Sequence, residues 1–270
     1  MSNPFSYAGK KVVVTGAATG VGAGLLDVLA EAGATDVTVL DIKAPTGPHA
    51  TYLETNLSEE AAVDAAIAAI DGKVDVLFNN AGVADTMPPR TVIAVNWLAL
   101  RKLSEGLLPK IAVGGAIANT ASTAGGMWSS HVPQITEMLG VAGWDESLDK
   151  YESLDLEGVA PYFFSKELVQ YYTMQSAKTT MASGVRTNSV CPSPIDTPLL
   201  KDFRETMSDK LIDWNIEQGM GRPVTGREVG MVLAFLGSDA AAYVNGVNML
   251  VDGGFTAAMT TGQVDFAAIS

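Results

Sequence analysis

Tyr162 and Lys166 stand four positions apart in APYFFSKELV, residues 160–169. On a helix such a pair stacks on one face, about 6 Å apart along the axis, so a phenol and an ammonium can converge on one ligand. Tyrosine ordinarily ionises near pH 10, and a neighbouring ammonium favours the phenolate. At about 1.4 kcal/mol per pH unit, bringing the phenol to neutrality asks roughly 4 kcal/mol of Lys166 and any bound cationic cofactor. A phenol tuned in this way can take a proton from a hydroxyl as hydride leaves the carbon, or return it in the reverse direction. The alternative is that Tyr162 packs while Lys166 runs its stem out to solvent. Two further polar residues precede the pair. Asn96, in VIAVNWLAL, sits amid apolar neighbours where an amide must find partners, either in a site or on the backbone. Ser122, in IANTASTAGG, falls at the expected end of the fifth strand, either a turn residue or a group at the carboxyl edge where open α/β sheets bind ligands.

The elements that must position these residues are legible as an alternation of short β-rich runs with longer helical patterns, the signature of parallel strands joined by crossover helices. Strands are predicted at 10–15, 36–41, 74–79, 115–121, 185–191 and 246–251, with a weaker one at 51–55, about seven in all. Helices are predicted at 20–32, 58–70, 90–108, 160–182 and 226–237, the second with Ser58 as its cap. Segments 123–159 and 193–224 fit the alternation poorly, and loops that long in a compact domain are usually covers or binding elements, expected at one edge of the sheet.

Between the first strand and first helix, VVVTGAATGVGAGLL supplies Gly16, Gly20 and Gly22. Glycine there allows a tight turn and lets backbone N–H groups and a helix N-terminus approach a pyrophosphate. A glycine turn serving only close helix–strand packing would read the same way. Asp41 ends the second strand nineteen positions after Gly22, close to the spacing at which an acidic residue meets the ribose hydroxyls of an adenine dinucleotide. A carboxylate there repels a 2′-phosphate, and Ala17 and Ala18 offer no cation to hold one, so NAD is expected rather than NADP. Lys43 is a cation that can partly compensate, and Asp41 can also be read as a strand-end turn residue.

A chain of 270 residues with 47% hydrophobic residues is long enough for one sizeable core, and a single domain over 1–270 is expected. The net charge of −13, with no basic run to offset it, argues against nucleic acid and anionic membranes as partners. The beginning, MSNPFSYAGKKVVV, has no secretory-signal pattern and no apolar run reaches membrane-spanning length, so a cytoplasmic protein is expected. One cysteine, Cys191, and two histidines, His49 and His131, predict neither an internal disulfide nor a bound metal.

Taken in order, TGAATGVG, NNAG (79–82), Asn96, Ser122, YFFSK and VDGG (251–254) closely resemble the short-chain dehydrogenase/reductase family over nearly the whole chain. The resemblance implies a Rossmann-type, doubly wound parallel α/β sheet and an NAD(P) cofactor. It implies Tyr162 as general acid/base, Lys166 binding the nicotinamide ribose and lowering the phenol pKa, Ser122 holding the substrate oxygen and Asn96 anchoring a proton-relay water. Cofactor contacts are implied at Gly16, Thr19, Gly20, Val21, Gly22, Asp41, Asn56, Leu57, Asn80, Ala81, Gly82, Pro192, Ile195 and Thr197, besides Tyr162 and Lys166. Ser193 stands where the family usually has glycine, and Asn56 where it often has an aspartate facing the adenine amine, an edge an amide can still meet through its carbonyl.

Ser122 and Tyr162 are forty positions apart, where the family usually has about a dozen; this insertion at 123–159, the short stretch between NNAG and Asn96, and the C-terminal LAFLGSDAAAYVNGVNMLVDGG together resemble a subgroup holding bacterial 3α-hydroxysteroid dehydrogenase/carbonyl reductase and coniferyl-alcohol dehydrogenase. An insertion entering just after Ser122 is expected over the mouth of the site, with Met127, Trp128, Met138, Leu139 and Trp144 as apolar walls, joined by Ser193, Leu199 and Leu200 from segment 193–224. An oligomer contact or simple surface cover is the alternative. The acidic DESLDKYESLDLE portion reads as a solvated helix face or as a seat for a cationic substrate group. The expected substrate is a small molecule, a bulky aryl or polycyclic secondary alcohol or its ketone, possible amino substitution included. A coniferyl-type primary alcohol and a non-catalytic NAD sensor are the alternatives. A homodimer or homotetramer is expected, since family members commonly pair through the helices carrying Asn96 and Tyr162 or through the C-terminal strand.

Overall fold

The computed structural model describes residues 3–264. Seven strands form one parallel sheet in the order β3-β2-β1-β4-β5-β6-β9. These are β1 (Lys11–Thr15), β2 (Asp36–Asp41), β3 (Thr51–Glu54), β4 (Val74–Asn79), β5 (Ile111–Thr120), β6 (Arg186–Pro192) and β9 (Asn248–Val251); a separate parallel pair joins β7 (Ile195–Asp196) to β8 (Val224–Thr225). Strand β5 starts four residues earlier than expected. The irregular stretch around Gly114, where φ is +88°, is absorbed as a register shift opposite Val74 and Val76.

Alternate residues of each strand serve opposite faces. Val12, Val14, Val76, Phe78, Ala116 and Ala118 face helices α1 (Gly20–Glu31) and α10 (Gly226–Gly237), where Gly24 and Gly230 let the two helices meet backbone to backbone. Val13, Leu77 and Ile117 face the other layer. That layer holds α2 (Glu60–Ala69), a helix running through α3 (Pro89–Ile93), a π-turn at Ala94–Leu98 and α4 (Ala99–Leu107), and then α7 (Pro161–Met181). Ser58 does not cap α2. Its hydroxyl bonds Asn56 Oδ1, and the cap position falls to Glu59 without a side-chain bond.

Both segments outside the alternation are largely helical. The insertion folds into α5 (Val132–Leu139) and α6 (Trp144–Ser153), and the later segment into α8 (Leu199–Met207) and α9 (Asp209–Gln218). A last short helix, α11 (Phe255–Thr260), packs Phe255 edge-on against Trp214 of α9. The insertion leaves the carboxyl end of β5 but does not stay there. It runs down the outside of α4 and α7, where Ile135, Met138, Trp144 and Leu148 join Trp97, Phe164, Leu168 and Tyr172 in one apolar cluster. Phe164 and Leu168 are fully buried, a contribution of about 1.5–3 kcal/mol each. His131 Nδ1 meets the buried Glu167 carboxylate at 2.8 Å and fastens the insertion to α7, while Arg90 holds Asp149 and Glu152 of α6.

Candidate active site

Helix α7 lies between the sheet and the insertion, so its buried polar side chains must be satisfied internally. Lys166 Nζ donates to the Thr120 carbonyl at 2.8 Å, Gln170 donates to the Ser122 carbonyl at 2.7 Å, and Ser165 Oγ donates back to the Tyr162 carbonyl at 2.7 Å. These bonds lock α7 to the carboxyl end of β5, where Thr120 ends the strand and Ser122 opens a tight turn by accepting from Ala124 N–H. Tyr162 and Ser122 therefore come together from opposite sides of the insertion, with the Ser122 hydroxyl close enough to favour the phenolate. Lys166 Nζ lies 5.6 Å from the Tyr162 ring centre.

The electrostatics differ from the expectation. Burial pushes the Tyr162 phenol up to about 12, opposed by the nearby Ser122 hydroxyl and reinforced by the nearby Asp85 carboxylate. Burial also lowers Lys166 to about 8. Lys166 does not offset the desolvation of the phenol. Without cofactor, Tyr162 is a neutral phenol at pH 7 and Lys166 a costly buried ammonium.

Asn96 is placed by the π-turn. Its Oδ1 accepts from Val83 N–H at 2.8 Å, and its Nδ2 donates to Val83 O at 3.0 Å and to Ser165 Oγ at 3.1 Å. The amide thus joins the loop after β4 to α7. Any water held at this residue is left the second lone pair of Oδ1 or the backbone.

The nucleotide end is built at the carboxyl ends of β1, β2 and β4. Gly16 and Gly20 have φ of +68° and +61°, and a Cβ at Gly16 would lie 2.5 Å from Ala81 Cα. A Cβ at Gly22 would meet the Gly16 carbonyl, so the turn is wound tightly onto itself. Asn80 Nδ2 donates to the Gly16 carbonyl at 2.8 Å and Ala81 N–H to Thr15 Oγ1 at 3.0 Å, which clamps the Asn-Asn-Ala-Gly segment onto the turn. Gly82 faces both Asn96 Oδ1 and Lys166 Nζ across the short gap its missing side chain leaves. Helix α1 begins at Gly20 after Thr19, with Val21 in its first turn, no side-chain cap and no acidic residue there. Its free N–H groups and dipole suit a pyrophosphate. Asp41 accepts from Ala18 N–H at 2.9 Å through one oxygen and from Lys43 N–H at 3.1 Å through the other, which fixes the carboxylate beside the turn. Thr197 closes the far side, its Cγ2 3.2 Å from where a Gly20 Cβ would stand. These residues fit a dinucleotide.

Asn56 Oδ1 accepts from the Ser58 N–H and hydroxyl, and its Nδ2 donates to Glu59, so its side chain braces the β3–α2 turn. Leu57 turns its side chain into the core. Pro192 ends β6 and Ile195 opens β7; Ser193, between them, keeps ordinary negative φ, since Ser208 is the one non-glycine residue with positive φ among those described. Met138 and Trp144, at 0% and 7% exposure, are core residues and not walls of the site, and Leu139 packs against the same core. Trp128 lies edge-on to Tyr171 on α7, and Met127 is exposed.

Leu199 and Leu200 open α8, and the sequence reading missed the residue one turn on. The Phe203 ring lies 4.7 Å from the Tyr162 ring at 60° and closes over the phenol. Leu199, Phe203 and Met207 recur at helical spacing, a signal that was available. Asp85, whose Oδ1 accepts Tyr162 N–H at 2.8 Å, gave no such signal.

A pyrophosphate cradle at one end and a phenol, hydroxyl and ammonium gathered at the other, both on the carboxyl edge of a parallel sheet, define an NAD(P)-dependent oxidoreductase. Residues 10–134 match the family described as short chain dehydrogenase, and residues 152–256 the one described as Enoyl-(Acyl carrier protein) reductase. The coniferyl-alcohol dehydrogenase of a Pseudomonas species is 33% identical over 91% of this chain and 96% of its own. The cis-4-hydroxycyclohexanecarboxylate dehydrogenase of Sinomonas cyclohexanicum is 34% identical over 93% of this chain and 98% of its own. Among solved structures, the 3-alpha-hydroxysteroid dehydrogenase of a Pseudomonas species, complexed with NADH, superposes with a TM-score of 0.77 at 26% identity, covering 95% of this chain and 100% of that one. The chain belongs to the short-chain dehydrogenase/reductase family and is an alcohol dehydrogenase-type oxidoreductase using NAD(P). Among the described residues no helix is long and apolar enough to cross a membrane.

Proposed function

We propose that the protein is an NAD-dependent dehydrogenase that interconverts a bulky, ring-bearing secondary alcohol and its ketone. The observation that carries this reading is the seat at Tyr162: a phenol beside the Ser122 hydroxyl, with the Lys166 ammonium behind it and the Phe203 ring closed over it. NAD, when bound, accepts hydride from the carbinol carbon. Ser122 and Tyr162 hold the substrate oxygen between their hydroxyls, and Tyr162 takes its proton in oxidation and returns it in reduction. Starting from a phenol near 12, reaching neutrality asks about 7 kcal/mol of the cations at the site, more than Lys166 supplies alone. Lys166 would hold the ribose hydroxyls of a bound cofactor, and its charge lies near the phenol. Asp41 favours NAD, since a 2′-phosphate would face a carboxylate already held at the glycine turn.

The Phe203 ring supplies an apolar wall at the seat, and Leu199 and Leu200 open the same helix. That wall suits a flat or cyclic body. The relatives named for coniferyl alcohol, a hydroxycyclohexane acid and a 3α-hydroxysteroid all act, by those names, on ring-bearing alcohols. The 33% identity to the coniferyl-alcohol enzyme supports a second reading, a primary aryl alcohol.

The test is NADH formation with 3-hydroxysteroids, cyclohexanols, aryl carbinols, aryl amino alcohols, coniferyl alcohol and 2-butanol, using wild type, Tyr162→Phe and Phe203→Ala. Tyr162→Phe should lose at least 1000-fold in kcat while NAD affinity stays within about threefold. Phe203→Ala should lose about tenfold in kcat/KM on ring substrates and almost nothing on 2-butanol. Normal turnover by Tyr162→Phe would refute the chemistry, and equal losses on rings and 2-butanol would refute the substrate class.

A further inference from the structure

Helix α7 starts with a deficiency. Its N-cap residue Ala160 has no side chain that can accept a bond, and Pro161 has no N–H, so the first orphan donor belongs to Tyr162 itself. No acidic residue lies in the first turn of α7. The missing acceptor arrives from another element: Asp85, six positions beyond the end of β4, takes the Tyr162 N–H at 2.8 Å.

The loop that delivers Asp85 is itself held. Asn96 grips Val83 by both backbone groups and donates to Ser165 Oγ, which donates to the Tyr162 carbonyl. Tyr162 is thus gripped at its N–H by Asp85 and at its carbonyl by Ser165, and both grips trace back through Asn96. The circuit crosses three elements and closes on one residue.

We infer that Asp85 is a positioning residue for Tyr162: its carboxylate caps the first turn of α7 at the tyrosine's own amide and holds the phenol in register with Ser122. The inference rests on reading Tyr162 as the acid/base. The same carboxylate adds negative charge beside the phenol. Tyr162 faces Lys166 on its own helix, Ser122 from the end of β5, Cys191 from β6 and Asp85 from the β4 loop; Asp85 in turn faces Tyr151 of α6. Burial raises the Asp85 carboxyl above the usual range, and the bond from Tyr162 N–H opposes that rise. Asp85 therefore orients the phenol at the expense of making its ionisation harder.

Asn and Ala at this position separate the two effects. Asp85→Asn keeps an acceptor for Tyr162 N–H and removes the charge; kcat should stay within about threefold, and the rising limb of kcat/KM for alcohol oxidation should move about 0.5–1 pH unit toward acid. Asp85→Ala removes the acceptor; kcat should fall about tenfold or more with KM for NAD unchanged. Amide hydrogen exchange of the peptide spanning 160–166, which needs no substrate, should accelerate in Asp85→Ala and not in Asp85→Asn. Unchanged exchange in the alanine variant, or equal kcat losses in both variants, overturns the inference. Tyr162→Phe run alongside separates the readings: if it retains turnover the acid/base reading fails, and if it is inactive while Asp85→Ala is normal only the role of Asp85 fails.

Discussion

Lys166→Met should make the protein more stable at neutral pH while abolishing its activity. The ammonium is 3% exposed, and burial lowers it from 10.5 to about 8. At about 1.4 kcal/mol per unit, keeping this side chain protonated in the folded state costs about 3 kcal/mol below pH 8. Methionine fills similar space without a charge. It also abandons the Thr120 carbonyl, which Lys166 bonds at 2.8 Å, and an orphaned buried acceptor costs about 1–3 kcal/mol. The net expectation is a gain of about 1 kcal/mol at pH 7. Its pH dependence is the stronger test. Because the folded pKa lies below the unfolded one, the lysine penalty is absent above 10.5, grows as pH falls, and is complete below about 8. The advantage of Lys166→Met should therefore shrink above pH 8 and invert at about pH 9, and by pH 10.5 only the cost of the orphaned carbonyl remains. Urea unfolding of both proteins at one protein concentration, from pH 7 to 10.5, measures this. A variant less stable by 2 kcal/mol at pH 7, or a difference that does not change with pH, refutes the argument.

Asp41→Ala should cut the preference for NAD over NADP at least tenfold, read from kcat/KM with each cofactor; an unchanged ratio would show that Asp41 serves only its bonds to Ala18 and Lys43. The insertion covers the outer face of the helices carrying Asn96 and Tyr162, while no described strand pairs with the outer edge of β9, where Leu250 is 48% exposed. Light scattering at micromolar concentration should find an oligomer that Leu250→Arg reduces by one dissociation step, and a monomeric wild type or an unaffected variant would dismiss that edge as the contact.

The sheet was legible because most strands are short apolar runs with a clear carboxyl end, and the ends place Asp41, Asn79 and Thr120 along one carboxyl edge. Helix α7 was legible over 160–182, and its buried Lys166, Glu167, Gln170, Thr173 and Thr180 bond neighbouring elements. The insertion was not. Its helices look solvent-facing because Asp145, Glu146 and Asp149 colour the sequence, yet Trp144 and Leu148 between them enter the core. Asp85 and Tyr162 are 77 positions apart, and a cap delivered across that separation leaves no local spacing to read. The sign of the phenol shift was missed for a different reason. Lys166 is written beside Tyr162 in the sequence, whereas the burial that outweighs it comes from residues distant along the chain, Phe203 among them.

The order of strands bears on how the chain is made. Strands β1 to β5, residues 11–120, occupy one continuous side of the sheet, and β6 and β9 add to it from the same edge. At ribosomal speeds of about 5–20 residues per second, some 4–14 s separate the emergence of β5 from that of β6. During that interval β5 presents an open edge, and α1 lacks α10, against which it later packs. The helices of the insertion are translated within the same interval. They join the apolar cluster around Trp97 and are translated ahead of α7, so this face gains cover while β6 and α10 are still to come.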